Sequence, residues 1–474
     1  MIKVFNTLGK KKQILKPIKD KQITMYSCGP TVYDFIHIGN ARTFLAFDII
    51  ARYLKYRGFK VKHIQNITDV GHLTEDEVRQ DKMLKAAKKE KVSPLDLAKK
   101  YTQKYFEAME KLNWEKPDQS PKASENVKEI IKLVEILVKK GFAYEVDGTI
   151  YFDISKFKKY GKLSGNTLEK LEAGASERIK KEIIKEKHSP HDFALWFKAP
   201  EEHALKWKSP WGMGYPGWHI ECSVMSAKYL GQTFDIHGGG KDLIFPHHEN
   251  EIAQSEAATG KPFAKYWLHS EYLKINGQKM SKSKGNFFTA EEFMEKYSAM
   301  FTRFFLISKH YQTELNITDK AIQAAQEGFE KLKNTVVSLK HQIKNAASGR
   351  IDEQFLKEIQ EHKEKFIKEM DNNFNTPGAF AAIFDLTKDL NIYEGNKQTL
   401  QAGLNLLLEL TGVLGLIIEE KQEKIPQKVQ DLVEKREWAR SEKNWQESDQ
   451  LREQIKKLGY EIKDTKEGTI IKRK

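Results

Sequence analysis

The chain has 474 residues, and its 80 Lys and Arg against 66 Asp and Glu give a formal net charge of +14. This length is enough for about two to four domains with buried cores. The basic excess indicates a polyanionic partner such as nucleic acid, with a merely lysine-rich composition as the alternative. A hydrophobic content of 39% argues against wholesale disorder, and two cysteines exclude a disulfide framework.

Neither a membrane span nor a signal peptide is predicted. The longest apolar run, at 413–418, is far shorter than the about 20 residues that cross a bilayer. The N-terminal sequence MIKVFNTLGKKK lacks the apolar segment of a secretory signal. We therefore expect a cytoplasmic protein with no membrane partner, and a monomer, because no apolar stripe suggests a dimer contact.

The segment 22–68 has the pattern of a strand, a helix and a second strand. Ile23 and Met25 alternate as in a short strand, and Gly58 suits a helix end. Between them, four apolar residues recur at helical spacing: Phe44, Phe47, Ile50 and Leu54. This unit is typical of the start of a Rossmann-type, doubly wound parallel sheet, in which ligands lie beyond the strand ends near the helix N-terminus.

Later segments predict other kinds of structure. Within 116–200, an amphipathic helix near 127–138 precedes a hairpin at Asp147-Gly148, and a solvated helix is expected at 169–187. Four helical patterns then predict an all-α bundle: 321–340, 353–371, 376–391 and 400–418. The polar tail predicts one helix that carries both Trp438 and Trp445, followed by a short strand-like end.

The two cysteines fall in segments rich in glycine and aromatic residues, where a metal site is one reading. His247 and Glu251 are four residues apart, so both would lie on one side of a helix. Cys28 closes the first strand and Cys222 lies 25 residues before His247, and together these four residues form a tetrahedral zinc set. Spacing alone favours a surface His–Glu pair and two inert thiols. His248 must face elsewhere, as a core or active-site histidine.

Two further segments suit a nucleotide. His37-Ile-Gly-Asn40 stands at the start of the first helix, where an imidazole and an amide can donate to phosphate oxygens and Gly39 allows close approach. Lys279-Met-Ser-Lys-Ser283 is a basic loop flanked by glycines, suited to neutralising a leaving polyphosphate. Alone, each segment reads equally well as an ordinary solvated loop.

Taken together, these two segments resemble HIGH and KMSKS, the signatures of class I aminoacyl-tRNA synthetases. The match departs at Asn40, which stands where that family has a second histidine and cannot become cationic. Within the class, the chain resembles the cysteinyl-tRNA synthetase family. The segments that carry this resemblance are Tyr26–Tyr33, Asn66–Asp69, Pro216–Ser223, Phe234–Gly240, Phe245–Glu251 and the tail around Asp449–Arg452.

The resemblance implies a site. It assigns zinc to residues matching Cys28, Cys222, His247 and Glu251. ATP would enter with Mg²⁺, held at Gly39 and Asp242, while His37 and Asn40 bind phosphate oxygens and Lys279 and Lys282 neutralise pyrophosphate. Three further residues would line or touch the substrate pocket: Thr68, Trp218 and His237.

The implied reaction joins L-cysteine to tRNA(Cys) in two steps, through cysteinyl-adenylate. The alternatives are a ligase that joins cysteine to an amino-sugar thiol precursor and a tRNA-binding paralogue without catalysis. The expected division is a Rossmann-type catalytic domain at 1–115 and 201–265, a connective insertion at 116–200, a stem-contact segment with the KMSKS loop at 266–320, the helix bundle at 321–420 and a small mixed α/β anticodon-binding domain at 421–474.

Overall fold

The computed structural model describes residues 1–71, 82–174, 187–201, 203–280, 285–418, 426–465 and 468–473. Its strands are β1 (Lys3–Asn6), β2 (Lys11–Ile14), β3 (Gln22–Ser27), β4 (Lys60–Gln65), β5 (Ala143–Val146), β6 (Thr149–Phe152), β7 (Phe193–Lys198), β8 (Trp207–Ser209), β9 (Gly212–Pro216), β10 (Phe234–Gly240), β11 (Ala264–Ser270), β12 (Leu273–Ile275), β13 (Gln278–Lys279), β14 (Leu315–Ile317), β15 (Tyr460–Thr465) and β16 (Gly468–Arg473). Its helices are α1 (Ile38–Tyr56), α2 (Lys82–Glu90), α3 (Pro94–Lys111), α4 (Val127–Lys139), α5 (Leu168–Gly174), α6 (Trp218–Leu230), α7 (Glu249–Thr259), α8 (Ala290–Tyr297), α9 (Ala299–Ile307), α10 (Asp319–Asn345), α11 (Glu353–Asp371), α12 (Thr376–Ile392), α13 (Lys397–Val413), α14 (Gln427–Ser441) and α15 (Trp445–Lys457).

A four-stranded parallel sheet in the order β11-β10-β3-β4 forms the centre of the catalytic part. The β3-α1-β4 unit confirms the predicted Rossmann-type opening, and α1 ends before Gly58 as expected. Most residues of α1 are buried, and each large apolar side chain that it buries contributes about 1.5–3 kcal/mol. Because the strands are parallel, the C-terminal ends of β3 and β10 lie at one edge, where the functional residues follow.

The insertion forms a separate antiparallel sheet in the order β5-β6-β7-β9-β8. The predicted turn joins β5 to β6, and Asp147 and Gly148 both adopt positive φ, 47° and 78°. Strands β8 and β9 belong to this sheet, although the sequence places their residues in the catalytic part. The solvated helix expected at 169–187 is described only as α5, and 175–186 lie outside the described residues.

A buried carboxylate fastens the insertion to α7. Glu249 is fully buried, and its Oε2 accepts hydrogen bonds from Leu163 N (3.1 Å), Ser164 N (2.8 Å) and Ser164 Oγ (2.9 Å). Two turns of α7 further on, Glu256 pairs with Lys162 at 2.6 Å. Backbone and side-chain donors thus fix the loop after β6 against the helix that begins at Glu249.

The chain separates into two compact units. The first comprises Met1–Glu327, Glu364–Ala381 and Thr411–Ile417, and the second comprises Gly328–Lys363, Ala382–Leu410 and Ile418–Lys474. The five-part division of the sequence remains a prediction. Among the described residues, no helix has the length and apolarity to cross a membrane.

The second unit contains parts of the four predicted helices together with the tail. Segments of α10 to α13 provide its buried apolar residues, such as Leu339, Ile359 and Leu390. In the tail, α14 and α15 pack with the β15–β16 hairpin around Val433 and Ile455. The expectation of one helix bearing both tail tryptophans is wrong.

The tail helix is interrupted between its two tryptophans. Lys443 adopts a positive φ of 57°, and the side chain of Asn444 caps a new helix by accepting from Glu447 N. Trp438 therefore lies on α14 and Trp445 on α15.

Candidate active site

Four buried side chains meet beyond the ends of β3 and β10. One ligand atom from each of Cys28, His247, His248 and Glu251 lies within 4.8 Å of the others. The shortest separations are 3.0 Å from His247 Nε2 to Glu251 Oε1 and 3.2 Å from Cys28 Sγ to His248 Nε2. A thiol, two imidazoles and a carboxylate at these separations fit a zinc ion, which takes nitrogen, sulfur and oxygen donors.

The second cysteine stands beside this group. Cys222 lies close enough to Cys28 and His247 for both to shift the pKa of its thiol, but it is not among the four mutually close donors. The structure therefore brings Cys28, His247 and Glu251 together as expected, adds His248, and leaves Cys222 in contact with two of them. The ligand set of the resemblance remains a prediction.

Burial and mutual contacts set the charges in this group. Burial opposes charge on both His247 and Glu251, yet their attraction raises the pKa of His247 to about 10 and, with His237, lowers that of Glu251 to about 2. Burial raises the pKa of the Cys28 thiol well above its usual range, whereas a hydrogen bond from Cys28 lowers that of Cys222. His247 and Glu251 thus form a buried ion pair within this group.

A second layer of side chains orients the donors. His237 Nε2 lies 2.7 Å from Glu251 Oε2, and its ring stacks on Trp267 at 4.4 Å. Through His269, His248 is linked to Thr7, with contacts of 2.8 Å and 2.7 Å. Such outer contacts fix ring orientation in metal sites.

Gly239 forms part of the floor of the site. A Cβ there would lie 3.2 Å from His248 Cε1 and 3.5 Å from Cys28 Cβ, closer than most Cβ contacts in the first case. A side chain at this position would displace the His248 ring by a few tenths of an ångström, so glycine suits the observed approach of the donors.

The three predicted substrate-pocket residues and the predicted nucleotide residue Asp242 lie in different parts of the catalytic sheet region. Trp218 is half-buried at the start of α6, with its ring 4.5 Å from that of His247, whereas His237 is fully buried beneath Glu251. Thr68 is buried in the segment after β4, where its Oγ1 accepts from Asn66 Nδ2 at 3.1 Å. Asp242 follows β10 in a short 3-10 turn. Trp218 is thus the pocket candidate that touches a metal donor and also reaches the surface.

The predicted nucleotide segment forms the start of α1. His37 is the N-cap residue, its Nδ1 accepts from Asn40 N (3.1 Å), and Asn40 Oδ1 accepts from His37 N (3.3 Å). A Cβ on Gly39 would lie 3.5 Å from Met280 Cε. The first residues of the KMSKS segment therefore lie against the HIGN segment.

The basic loop is described only in part. Lys279 closes β13 with an exposed side chain, and its Nζ lies 5.3 Å from the centre of the Tyr272 ring. Lys282 belongs to 281–284, outside the described residues. The assignment of both lysines to pyrophosphate stays a prediction.

Sequence reasoning missed His269 entirely and gave His248 no role as a donor. The adjacent pair His247-His248 was a usable signal. When one of two consecutive histidines is a candidate metal ligand, the other can also come close to the same donors. His269 had no sequence signal, since it reaches His248 only through the parallel pairing of β10 with β11.

Three family models cover most of the chain. One described as the tRNA synthetases class I (C) catalytic domain matches residues 14–327. A DALR domain matches 365–419, and a cysteinyl-tRNA ligase anticodon binding domain matches 422–470. The chain belongs to the class I aminoacyl-tRNA synthetases.

Relatives narrow this class to one family. The chain is 46% identical over 477 residues to a cysteine–tRNA ligase of Caldicellulosiruptor saccharolyticus, with 100% of both chains covered. It is 44% identical to one from Geobacillus sp., covering 100% of this chain and 99% of that one. Within class I, it is therefore a member of the cysteinyl-tRNA synthetase family.

A solved structure supports the fold. Mycobacterium tuberculosis methionyl-tRNA synthetase in complex with methionyl-adenylate superposes with a TM-score of 0.58 at 18% identity, covering 83% of this chain and 89% of that one. At this identity the likeness concerns the fold alone, and it agrees with the parallel sheet and the helical region that follows it.

Proposed function

We propose that this chain activates L-cysteine with ATP and transfers it to the 3′ end of tRNA(Cys), with a bound zinc ion selecting the thiol. Family membership supports the ligase activity, and one observation carries the substrate choice. The buried group of Cys28, His247, His248 and Glu251, with Cys222 beside it, is rich in soft donors and lies under Trp218 at the edge where the nucleotide segment begins.

Activation needs positioning more than covalent chemistry. The cysteine carboxylate attacks the α-phosphorus of ATP, and pyrophosphate leaves as cysteinyl-adenylate forms. His37 and Asn40 bind phosphate oxygens at the positive end of α1, Gly39 leaves room for them, and Lys279 and Lys282 neutralise the leaving group. Mg²⁺ accompanies ATP, and Asp242 contacts the nucleotide.

Cysteine and serine differ by one atom, so the shape of a pocket alone discriminates poorly between them. Zinc, when bound, supplies a Lewis acid that favours a thiolate over a hydroxyl. Cys28, Cys222, His247 and Glu251 would hold it, Trp218 and His237 would wall the side-chain pocket, and Thr68 would contact the amino acid.

Transfer requires tRNA, and the second unit offers a surface for its anticodon. Trp438 and Trp445 are 64% and 59% exposed, and Arg440 lies over the Trp445 ring at 6.0 Å. Exposed aromatic rings beside arginine suit base stacking. The match of 422–470 to an anticodon-binding model favours a tRNA ligase over the amino-sugar thiol ligase.

Cysteine-dependent exchange of pyrophosphate into ATP tests the proposal. Exchange is expected with cysteine, to be absent with serine, and to fall after treatment with a strong chelator and return with zinc. Exchange with another amino acid in place of cysteine would overturn the substrate assignment. Absence of exchange alongside intact tRNA binding would instead favour the non-catalytic paralogue.

The proposal also includes a monomer that charges tRNA in the cytoplasm, where translation consumes the product. Light scattering of the purified chain, with and without tRNA, tests the monomer. A mass of two chains would contradict it.

A further inference from the structure

A buried arginine joins α1 to the chain segments that lead into the small sheet of β12, β13 and β14. Arg42, on the second turn of α1, is 2% exposed. Its Nη1 donates to the carbonyl oxygens of Glu271 (2.9 Å) and Tyr272 (3.0 Å), directly before β12. Its Nη2 donates to those of His310 (3.1 Å) and Thr313, before β14. One guanidinium therefore holds the entry to both strands.

This small sheet carries the first residue of the KMSKS segment. Strand β12 pairs with β13 on one side and with β14 on the other, and Lys274 pairs with Lys279 across the first of these. Among the described strands it is a sheet separate from the central one, so its position relative to α1 depends on contacts such as those of Arg42. Burial lowers the pKa of Arg42 to about 10, which leaves the side chain charged at neutral pH and its hydrogen bonds charge-assisted.

A tyrosine connects this anchor to Lys279. Tyr272, whose carbonyl accepts from Arg42, is half-buried, and the Lys279 Nζ lies 5.3 Å from the centre of its ring. Lys241 approaches the same ring at 5.9 Å and pairs with Glu271 at 2.6 Å. A cation within about 6 Å of the centre of an aromatic ring is attracted to its face. The chain of contacts thus runs from α1 through Arg42 and Tyr272 to a lysine of the KMSKS segment.

We propose that Arg42 and Tyr272 are positioning residues for Lys279 in the activation step. Arg42 fixes the small sheet against α1, and the ring of Tyr272 holds the ammonium group of Lys279 at the end of β13. The inference rests on the proposed function, because that function gives Lys279 its part in neutralising pyrophosphate. This charge matters most as the leaving group separates, so loss of its position should lower kcat more than it raises the KM for cysteine.

Substitution of Arg42 tests the anchor. Arg42→Met keeps an apolar side chain but removes all the donors, so we expect kcat for pyrophosphate exchange to fall about 30-fold while the KM for cysteine stays within about twofold. Arg42→Lys keeps the charge but not the planar fork, and it should recover at least about threefold of this loss. An unchanged kcat in Arg42→Met would overturn the proposal.

Arg303→Met is the matched control. Arg303 is also buried, and it donates to the carbonyl oxygens of Leu112 and Leu414 and to the Asp48 carboxylate on α1. These partners lie outside the segments that Arg42 binds. The variant should lose at least as much stability towards denaturant as Arg42→Met, because it removes one partner of a buried carboxylate, but it should keep kcat within about threefold. Equal losses of kcat in both variants would mean that Arg42 only stabilises the fold.

Tyr272→Leu tests the second contact without disturbing a buried charge. We expect kcat to fall about fivefold and Tyr272→Phe to restore it to within about twofold, because phenylalanine keeps the face of the ring. In a Lys279→Ala background, Tyr272→Leu and Arg42→Met should each change kcat by less than about twofold, since both act through that lysine. Full additivity of the losses would contradict the proposal and assign them to independent effects.

Amide hydrogen exchange separates this inference from the proposed function. Leu315 N, at the start of β14, donates to Tyr272 O at 3.2 Å. This amide should exchange at least about tenfold faster in Arg42→Met and stay protected in Arg303→Met. Unchanged protection in Arg42→Met, with normal pyrophosphate exchange in the unaltered chain, would overturn the inference alone. Absence of pyrophosphate exchange in the unaltered chain would refute the proposed function, whatever the protection of the amide.

Discussion

Individual side chains in the buried group determine which four donors could bind a metal ion. Five candidates surround one small space, and four of them are mutually close. His248 and Cys222 compete for the fourth position, since each contacts Cys28. His248 is also held through His269, which suits an outer partner, whereas a thiolate is the softer ligand.

Cys222→Ala should abolish stoichiometric zinc, whereas His248→Gln should keep about one zinc per chain with affinity weakened about 10–100-fold. The reason is that a lost thiolate opens the inner set, while a lost imidazole removes only support. Metal analysis and competition with a chromogenic chelator measure both. If Cys222→Ala kept about one zinc per chain and His248→Gln bound none, His248 would be the metal ligand and Cys222 the supporting residue.

Lys282→Ala should slow pyrophosphate exchange about 10²–10³-fold, because the leaving group loses its neutralising charge. Zinc content should not change. Lys284→Ala, two residues along the same loop, is the matched control and should stay within about threefold. Loss of zinc in Lys282→Ala would contradict the separation of the two sites.

At the scale of elements, close approach between α1 and the central sheet depends on glycine. A Cβ at Gly238 on β10 would lie 2.2 Å from Phe47 Cζ and 2.6 Å from Leu268 O. The second contact is with backbone, so it cannot be relieved by a side-chain rotation. The helix that begins with the predicted nucleotide segment thus packs directly on the strand that leads to the candidate metal group.

Gly238→Ala should lower the free energy of unfolding by about 2 kcal/mol or more, since the added methyl forces helix and strand apart. Gly412→Ala on α13 is the control: nothing lies within 4 Å of its Cβ, so a neutral or slightly stabilising effect is expected. Denaturant unfolding of both variants checks this. Equal stability of the two variants would mean that the sheet can shift to accommodate the added methyl group.

The tail has its own electrostatic anchor. Arg436 is buried and forms a two-point pair with Asp464 at 2.8 Å and 2.7 Å, and Arg440 adds a third contact at 2.7 Å. The hydrogen bond from Arg436 lowers the pKa of Asp464 to about 2. Because the folded pKa lies below the unfolded value, this stabilisation is present above about pH 4 and is lost as pH falls toward 2.

Asp464→Asn should destabilise the tail by about 1 kcal/mol at neutral pH, a value reduced for partial exposure. The difference from the unaltered chain should vanish below about pH 2. Hydrogen exchange of β15 measures the local effect. A difference that persists at the lowest pH would assign it to packing instead.

For the whole molecule, the two compact units correspond to two separable activities in the proposed reaction. In that proposal, activation would use residues of the first unit, and anticodon recognition would use the exposed rings of Trp438 and Trp445 in the second. Loss of tRNA contacts should therefore leave adenylate formation intact.

Trp438→Ala with Trp445→Ala should raise the KM for tRNA about 5–100-fold, as expected for lost base stacking. Pyrophosphate exchange in the same variant should be unchanged. Phe355→Leu, a ring stacked on Tyr393 inside the second unit, serves as the control for general loosening. An equal rise in both variants would remove the stacking role.

Local periodicity predicted the β3-α1-β4 unit and the insertion hairpin, because helical spacing and an Asp-Gly turn are written in neighbouring residues. It failed at Lys443, where a positive φ interrupts a helix whose composition continues across the break. Half of the metal group came from an i, i+4 spacing. Cys28 came from its place at the end of the first predicted strand, whereas His248 was given no donor role, and its partner His269 lies 21 residues further along the chain, where no local pattern indicates the contact.

The buried Glu249 carboxylate limits how the sequence of the insertion can change. Its partners are two backbone amides and one hydroxyl at Leu163 and Ser164, so the turn they occupy must keep its shape. Gly161 adds to this, because a Cβ there would lie 2.5 Å from Asn166 O. Exchanging the insertion for that of a distant relative should succeed only if the graft brings this turn with it, whereas length changes at the Asp147-Gly148 tip should be tolerated.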